Sequence, residues 1–366
     1  MFARVSTYGI VLAALLMTAC SQNETEQKTV PEKEPVAISF TCTTALTTDL
    51  DDEATTRTDT EPGYDEQLRY TGFGVFAAVG DSNYPDLMYN QQVVYTYLAD
   101  DFENGFWSYS PVKFWPKVGD NLAEEVTFSA YAPYAEPDSE GNTGASFGIT
   151  KISIFPNTGA PYLIYKRFTS PNDSIDLLWD CKVQNKPGNT SLKMRHALAR
   201  LAVSVILENA PADGTRVLLN RVTLKGDIAE SAKLNLSVAG DTPNWTEQDL
   251  KSITIYTDSD PKAEGSTDSW GTINNDIRYV TDLPYNWQPD GLNNTEYQNV
   301  VTIGGHKGYL YLIPQTSLTL DCTVAYTIMS SGGTKVEGKK KPEEAIVLSP
   351  LNGNSTYNLK LKLKGL

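Results

Sequence analysis

Histidine is nearly missing from this chain, with only His196 and His306 among 366 residues. No H-E-x-x-H pair, G-x-S-x-G elbow or glycine-rich phosphate loop occurs. The usual signatures of zinc hydrolysis, acyl transfer and nucleotide binding are therefore absent, and no motif implies a cofactor. Cysteine is scarce as well: Cys20, Cys42, Cys181 and Cys322. Their wide separation gives no metal-ligand spacing, and the acidic run Asp49–Glu53 lacks the spacing of a calcium loop. Positive charge is in deficit, with 30 Lys and Arg against 45 Asp and Glu, a net charge of −15. That balance argues against nucleic-acid binding through a basic face. No apolar run is long enough to cross a bilayer as a helix.

The N-terminus reads as a targeting segment. Arg4 gives a positive start, Ile10–Met17 is a short apolar run, and Thr18 and Ala19 precede Cys20. This is the pattern of a bacterial lipobox, with residues 1–19 as signal peptide and lipid on the sulfur of Cys20. The alternative is an ordinary signal peptide followed by a core or redox cysteine. Residues 20–35 are polar, contain Pro and Glu and have no periodicity, as a disordered tether does. Of the three later cysteines, two could pair in an exported protein; otherwise they read as small buried hydrophobes.

What the chain does have is tyrosine, 20 of them, and abundant Gly and Pro punctuation, which favours strands and turns. In Val36–Thr44, Val36, Ile38, Phe40 and Cys42 share one face of a strand. Residues 45–64 form a long acidic, Thr-rich loop whose single basic residue is Arg57. Short strands then follow: Phe73–Val79, Gln91–Leu98, the aromatic stretch Phe106–Pro116, Val126–Tyr134, Ile149–Phe155 and Ile175–Trp179. The aromatics among them invite a sugar-binding platform, but period-two aromatics on strands more often face a core. Lys186–Thr190 is turn-rich and marks a boundary. In Leu192–Leu207 the alternation slips by one residue, which predicts a bulge or bend near Ala199 and Arg200, with a helix over Leu192–Arg200 as the rival. His196 falls on the apolar face as a core histidine. Further strands are predicted from Val217 onward. The last, Tyr357–Lys364, places Tyr357, Leu359, Leu361 and Leu363 on one face and lysines on the other. The whole predicts an all-β chain of two antiparallel β-sandwiches, residues 36–189 and 190–366.

Several stretches share their order with a known family: FWSYSPVKFWP followed by VTFSAYAPY, then IDLLW, LKMRHALARLAVSV, YLIPQ and LNGNSTYNLKLKL. With these the chain resembles the fimbrillin-like lipoproteins of Bacteroidales, the family of the major and minor fimbrial subunits. The resemblance implies two transthyretin-like β-sandwich domains and export as a lipoprotein to the outer membrane and cell surface. It also implies that an arginine-specific surface protease removes the first strand, and that a strand of another subunit fills the groove. Carried onto this chain, the removable strand is Val36, Ile38, Phe40 and Cys42, and the cut follows Arg57. The strand holding Tyr357, Leu359, Leu361 and Leu363 is either a donor or the closing strand of the second sandwich; the latter suits a tip or accessory subunit, the slightly favoured position. Two other readings stay open. One is a monomeric surface lipoprotein binding glycan or host protein. The other is a hydrolase, which would need two carboxylates about 5–10 Å apart across a cleft.

Overall fold

The computed structural model describes residues 35–44, 48–49, 64–80, 82, 84–98, 101–118, 121–123, 125–154, 159–168, 175–207, 216–258, 301–303, 310–330, 332–342 and 345–363. In chain order the elements are β1 (Ser39–Thr44), β2 (Thr48–Asp49), α1 (Tyr64–Thr71), β3 (Phe73–Val79), β4 (Met88–Leu98), β5 (Asp101–Ser108), β6 (Lys117–Val118), β7 (Asn121–Leu122) and β8 (Val126–Ala132). There follow β9 (Ile149–Ile152), β10 (Tyr162–Lys166), β11 (Leu178–Gln184), β12 (Asn189–His196), β13 (Ala199–Leu207), β14 (Arg216–Asn235) and β15 (Asn244–Asp258). The remainder is β16 (Val301–Ile303), β17 (Leu310–Leu312), β18 (Leu318–Met329), β19 (Lys335–Lys340), β20 (Ile346–Leu348) and β21 (Ser355–Leu363). The described residues are all-β apart from α1 and one 3-10 turn.

The first sheet has the order β1-β12-β11-β8-β3-β4-β5. Its central strands are covered on both faces. Phe73, Val75 and Ala77 of β3 join Phe128 and Ala130 of β8 in one core. Phe76, Tyr131 and Trp179 point the other way into a second core. That explains why FGVFAAV has no polar face: a strand buried on both sides reads as a continuous apolar run. Each fully buried large side chain contributes roughly 1.5–3 kcal/mol.

The second sheet runs β19-β18-β14-β10-β9, with β15 also on β14. The 20-residue β14 serves two cores. Val222, Leu224 and Ile228 pack with Leu201, Leu310 and Tyr357 of the third sheet, β16-β13-β21-β2 with β17. Ala229, Ala232 and Leu234 pack with Phe76, Tyr131 and Trp179 of the first. Gly226 stands where β14 meets β18; a Cβ there would lie 2.4 Å from the Thr319 carbonyl oxygen.

Three local features differ from the sequence reading. The helix α1 was not anticipated; it buries one apolar side chain, Leu68, and stops at Gly72, whose φ of +67° and N–H bond to the Leu68 carbonyl (2.9 Å) form a left-handed C-terminal cap. The break in Leu192–Leu207 lies at Ala197 and Leu198, just before the expected place, and it carries the chain from the first sheet (β12) to the third (β13). No helix forms there. The expected boundary at residues 189 and 190 falls at the start of β12, which stays with the first sheet, while β9 and β10 pair into the sheet of β14.

Candidate functional site: the slot of the first strand

Antiparallel pairing prevails, and β1 departs from it. It runs parallel to β12, in register from Ser39 opposite Asn189 to Thr44 opposite Met194. Just before β1 the chain is hydrogen-bonded on its other side as well. The Ile38 N–H donates to the Lys113 carbonyl (2.9 Å), and the Trp115 N–H donates to the Val36 carbonyl (2.8 Å). Ala37 and Phe114 form an antiparallel bridge. The first strand is thus held by the Lys113–Trp115 segment along Val36–Ile38 and by β12 along Ser39–Thr44.

The alternation read from the sequence sets the two faces. Ile38 and Phe40 are 2% and 4% exposed, Cys42 is half-buried, and Val36 lies at the rim, 36% exposed. Phe40 has three aromatic neighbours: Phe73 and Phe128 edge-on at 6.0 and 5.8 Å, and Tyr109 tilted at 5.5 Å. Such pairs contribute about 0.5–1.5 kcal/mol each beyond area burial. The Tyr109 hydroxyl donates to the Ile38 carbonyl (2.9 Å) and accepts the Lys113 N–H (3.2 Å). Burial raises its pKa above the ordinary tyrosine value, against the opposing effect of the Lys113 backbone bond, so the phenol stays protonated as a donor. On the solvent face Asn189 spans two residues of β1. Its Oδ1 accepts from Ser39 Oγ (3.1 Å), and its Nδ2 donates to Thr41 Oγ1 (3.0 Å).

The last described strand, β21, belongs to the third sheet. β21 lies parallel to β13, with Leu201 opposite Tyr357 and Val203 opposite Leu359. On its other edge the two-residue β2 pairs only with its start, Thr48 opposite Ser355 and Asp49 opposite Thr356. Tyr357 and Leu361 are in the core, with Leu359 packed against it. The Tyr357 hydroxyl donates to the Pro350 carbonyl (2.8 Å) and accepts the Asn352 N–H (2.8 Å). Leu363 is paired with Leu207 at the end of β21. Cys20, Arg57 and His306 lie outside the described residues.

The remaining candidates fall elsewhere. Trp115, Phe128 and Tyr131 are buried, Trp107 and Tyr109 pack against the core, and Phe114 is 47% exposed. Trp245 is half-buried, its indole N–H bonded to the Ala197 carbonyl (2.9 Å); Trp270 and Trp287 lie outside the described residues. His196 is buried against Asp176, and Asp180 accepts Arg195 at 2.6 Å and the Lys193 N–H at 2.8 Å. None of Cys42, Cys181 and Cys322 forms a disulfide, and burial pushes the Cys181 and Cys322 thiols up to about 11. Among the described residues, a cavity of about 260 Å³ beside Cys181 and Val183 has one lining carboxylate, that of Glu125. Sequence reasoning missed Asn189, Lys113 and the pairing of β1 with β12. Asn189 sat in a stretch read as linker, and a partner strand about 150 residues away leaves no local signal.

The fimbrillin-like family model matches residues 56–366. A candidate cell adhesion protein from Bacteroides uniformis has a solved structure with TM-score 0.42 and 16% identity, over 90% of this chain and 94% of that one. A candidate cell adhesion protein from Bacteroides thetaiotaomicron gives TM-score 0.35 and 13% identity, over 90% and 92%. The fimbrial anchor protein Mfa2 from Porphyromonas gingivalis gives TM-score 0.30 and 11% identity, over 84% and 82%. No curated protein matches the sequence. The match runs from before Arg57 through every element from α1 to β21, and on that extent the chain belongs to the fimbrillin-like family.

Proposed function

We propose that this protein, fimbrial or adhesin-type by family, is a lipoprotein subunit assembled by removal of its first strand. Lipid on Cys20 holds it at the outer membrane. An arginine-specific surface protease cuts after Arg57, Val36–Thr44 leaves, and a strand of another fimbrial subunit takes its place. The observation that carries this reading is the pairing of residues 36–38 with Lys113–Trp115 and of residues 39–44 with β12, with Ile38 and Phe40 buried. A cut in the following loop would leave that strand held by noncovalent contacts alone. Its loss would uncover an apolar slot and leave backbone groups of β12 and of Lys113–Trp115 unpaired, a template for strand pairing. The family match beginning at residue 56 is in keeping with a chain whose functional part starts near Arg57. Two transthyretin-like sandwiches belong to the same reading, the expected bounds 36–189 and 190–366 being crossed by β12 and by the pairing of β10 with β14.

Within the fimbrium we assign a tip or accessory position rather than a repeating stalk position. β21 is paired with β13 from Thr356 to Leu363 and gives Tyr357 and Leu361 to a core, so donating it would dismantle its own sheet. Replacing Arg57 with Ala tests the reading in a producing cell. The variant is expected to keep Val36–Thr44 and to be left out of fimbriae; incorporation at the wild-type level would contradict the reading.

One observation favours a monomeric glycan- or protein-binding lipoprotein instead. Val94, Leu98 and Phe106 line the outer face of the β4–β5 hairpin, 41%, 53% and 51% exposed. Quenching of tryptophan fluorescence by a polysaccharide or host protein would support that reading; a flat response across a panel would count against it.

A further inference from the structure

We infer that the slot of the first strand selects its occupant, accepting a strand of alternating aliphatic, hydroxyl, aromatic and hydroxyl residues and rejecting β21 of a second copy of this chain. The inference rests on the strand-removal reading above and specifies the partner. Three features of the slot carry it. The position of Ile38 is closed, at 2% exposure. The position of Phe40 is walled by Phe73, Tyr109 and Phe128, a nest shaped for a ring. On the outer face, Asn189 offers one acceptor and one donor to hydroxyls two residues apart, those of Ser39 and Thr41.

β21 does not meet these requirements in any register. With Leu359 at the place of Ile38 and Leu361 at that of Phe40, no ring enters the nest. Lys360, Lys362 and Lys364 then take the places of Ser39, Thr41 and Thr43. The last would face Lys193 across the pair, as Thr43 does in β1. Lys182, whose ammonium donates to the Ser191 carbonyl (2.8 Å), lies on the adjacent strand. Like charges directly opposite oppose pairing. Moving Tyr357 into the nest would bring Ser355 to the buried position of Ile38, where an apolar side chain is required. The partner is therefore a strand from a different chain, with a branched aliphatic and an aromatic two residues apart and Ser or Thr beside the aromatic.

The test uses the non-lipidated full chain cut by an arginine-specific protease, then incubated with an excess of labelled synthetic peptide. Incorporation is read by size-exclusion chromatography and intact mass. The peptide of residues 36–44 is expected to enter. Its Ser39→Ala, Thr41→Ala version should enter about fivefold less well, as the loss of two exposed hydrogen bonds implies. Its Phe40→Leu version should enter about tenfold less well or worse. The peptide of residues 355–363 should not enter at low salt. An Asn189→Ala protein should cease to distinguish the hydroxyl peptide from the alanine peptide while still preferring Phe over Leu. Equal entry of the 36–44 and 355–363 peptides would overturn the selectivity alone. Failure of every peptide, the native sequence included, would overturn strand removal itself.

Discussion

Phe40→Ala is the perturbation that weighs most on the slot. The side chain is 4% exposed and touches Phe73, Tyr109 and Phe128. Truncating a buried Phe to Ala costs about 3–5 kcal/mol through lost transfer and the cavity left behind. Three aromatic contacts at once place this site towards the upper part of that range. The cost is read in two states of one protein. In the uncut chain it lowers the stability of the first sheet, measured by urea unfolding followed through tryptophan fluorescence. After cleavage at Arg57 the strand is a separate peptide, and the same loss weakens its retention by about two to four orders of magnitude, at tenfold per 1.4 kcal/mol. Retention is measured as the fraction of the 36–44 fragment still bound after gel filtration. Thr43→Ala, on the exposed face, is the control and should change both readings little. A loss below about 1 kcal/mol for Phe40→Ala, or a release rate equal to that of the control, would refute the packing argument.

Other outcomes follow from the same contacts. Tyr109→Phe removes the donor to the Ile38 carbonyl and should cost about 0.5–1.5 kcal/mol, with faster release of the cut strand. His196→Ala should destabilise by about 1–3 kcal/mol in urea unfolding, because it removes a buried hydrogen-bond partner of Asp176. At pH 8 a thiol reagent should label Cys181 and Cys322 only after unfolding, while half-buried Cys42 reacts in the folded protein and faster once β1 is released. Burial raises the Cys181 thiol from 9.0 to about 11, so its contribution is intact below about pH 9 and is lost as pH rises towards 11; Cys181→Ala should flatten that part of a pH-stability curve.

The strand pattern was legible wherever one face is wet. Val36–Thr44 and Tyr357–Lys364 alternate cleanly, and the buried positions of Ile38, Phe40, Tyr357 and Leu361 follow from period two. Two-sided burial in β3 and β8 removes the alternation, so only the strand and not its neighbours could be read there. Pairing partners were not legible. β1 meets β12 in parallel, and β9 and β10 leave the first sheet for β14, because register depends on cores assembled from distant segments. The helix α1 escaped notice since its eight residues, YDEQLRYT, hold too few apolar side chains to give a detectable 3.6 period. The aromatics of Phe106–Pro116 were read as core; Trp115 is buried and Trp107 and Tyr109 pack against the core, while Phe106 is 51% exposed. Phe114 instead points outward, because its backbone bridges Ala37 and its neighbour Trp115 takes the inner place. Cys20 and Arg57 rest on the sequence reading and the family alone.

The most direct measurement is a brief digestion of the non-lipidated protein with an arginine-specific protease, with intact mass to locate the cut and electron microscopy to follow association on adding a partner strand. The account predicts one early cut after Arg57, a fragment containing residues 36–44 that stays bound until a competing strand displaces it, and no filaments from this chain alone. Resistance at Arg57, or a cut chain that never exchanges the fragment, would contradict it.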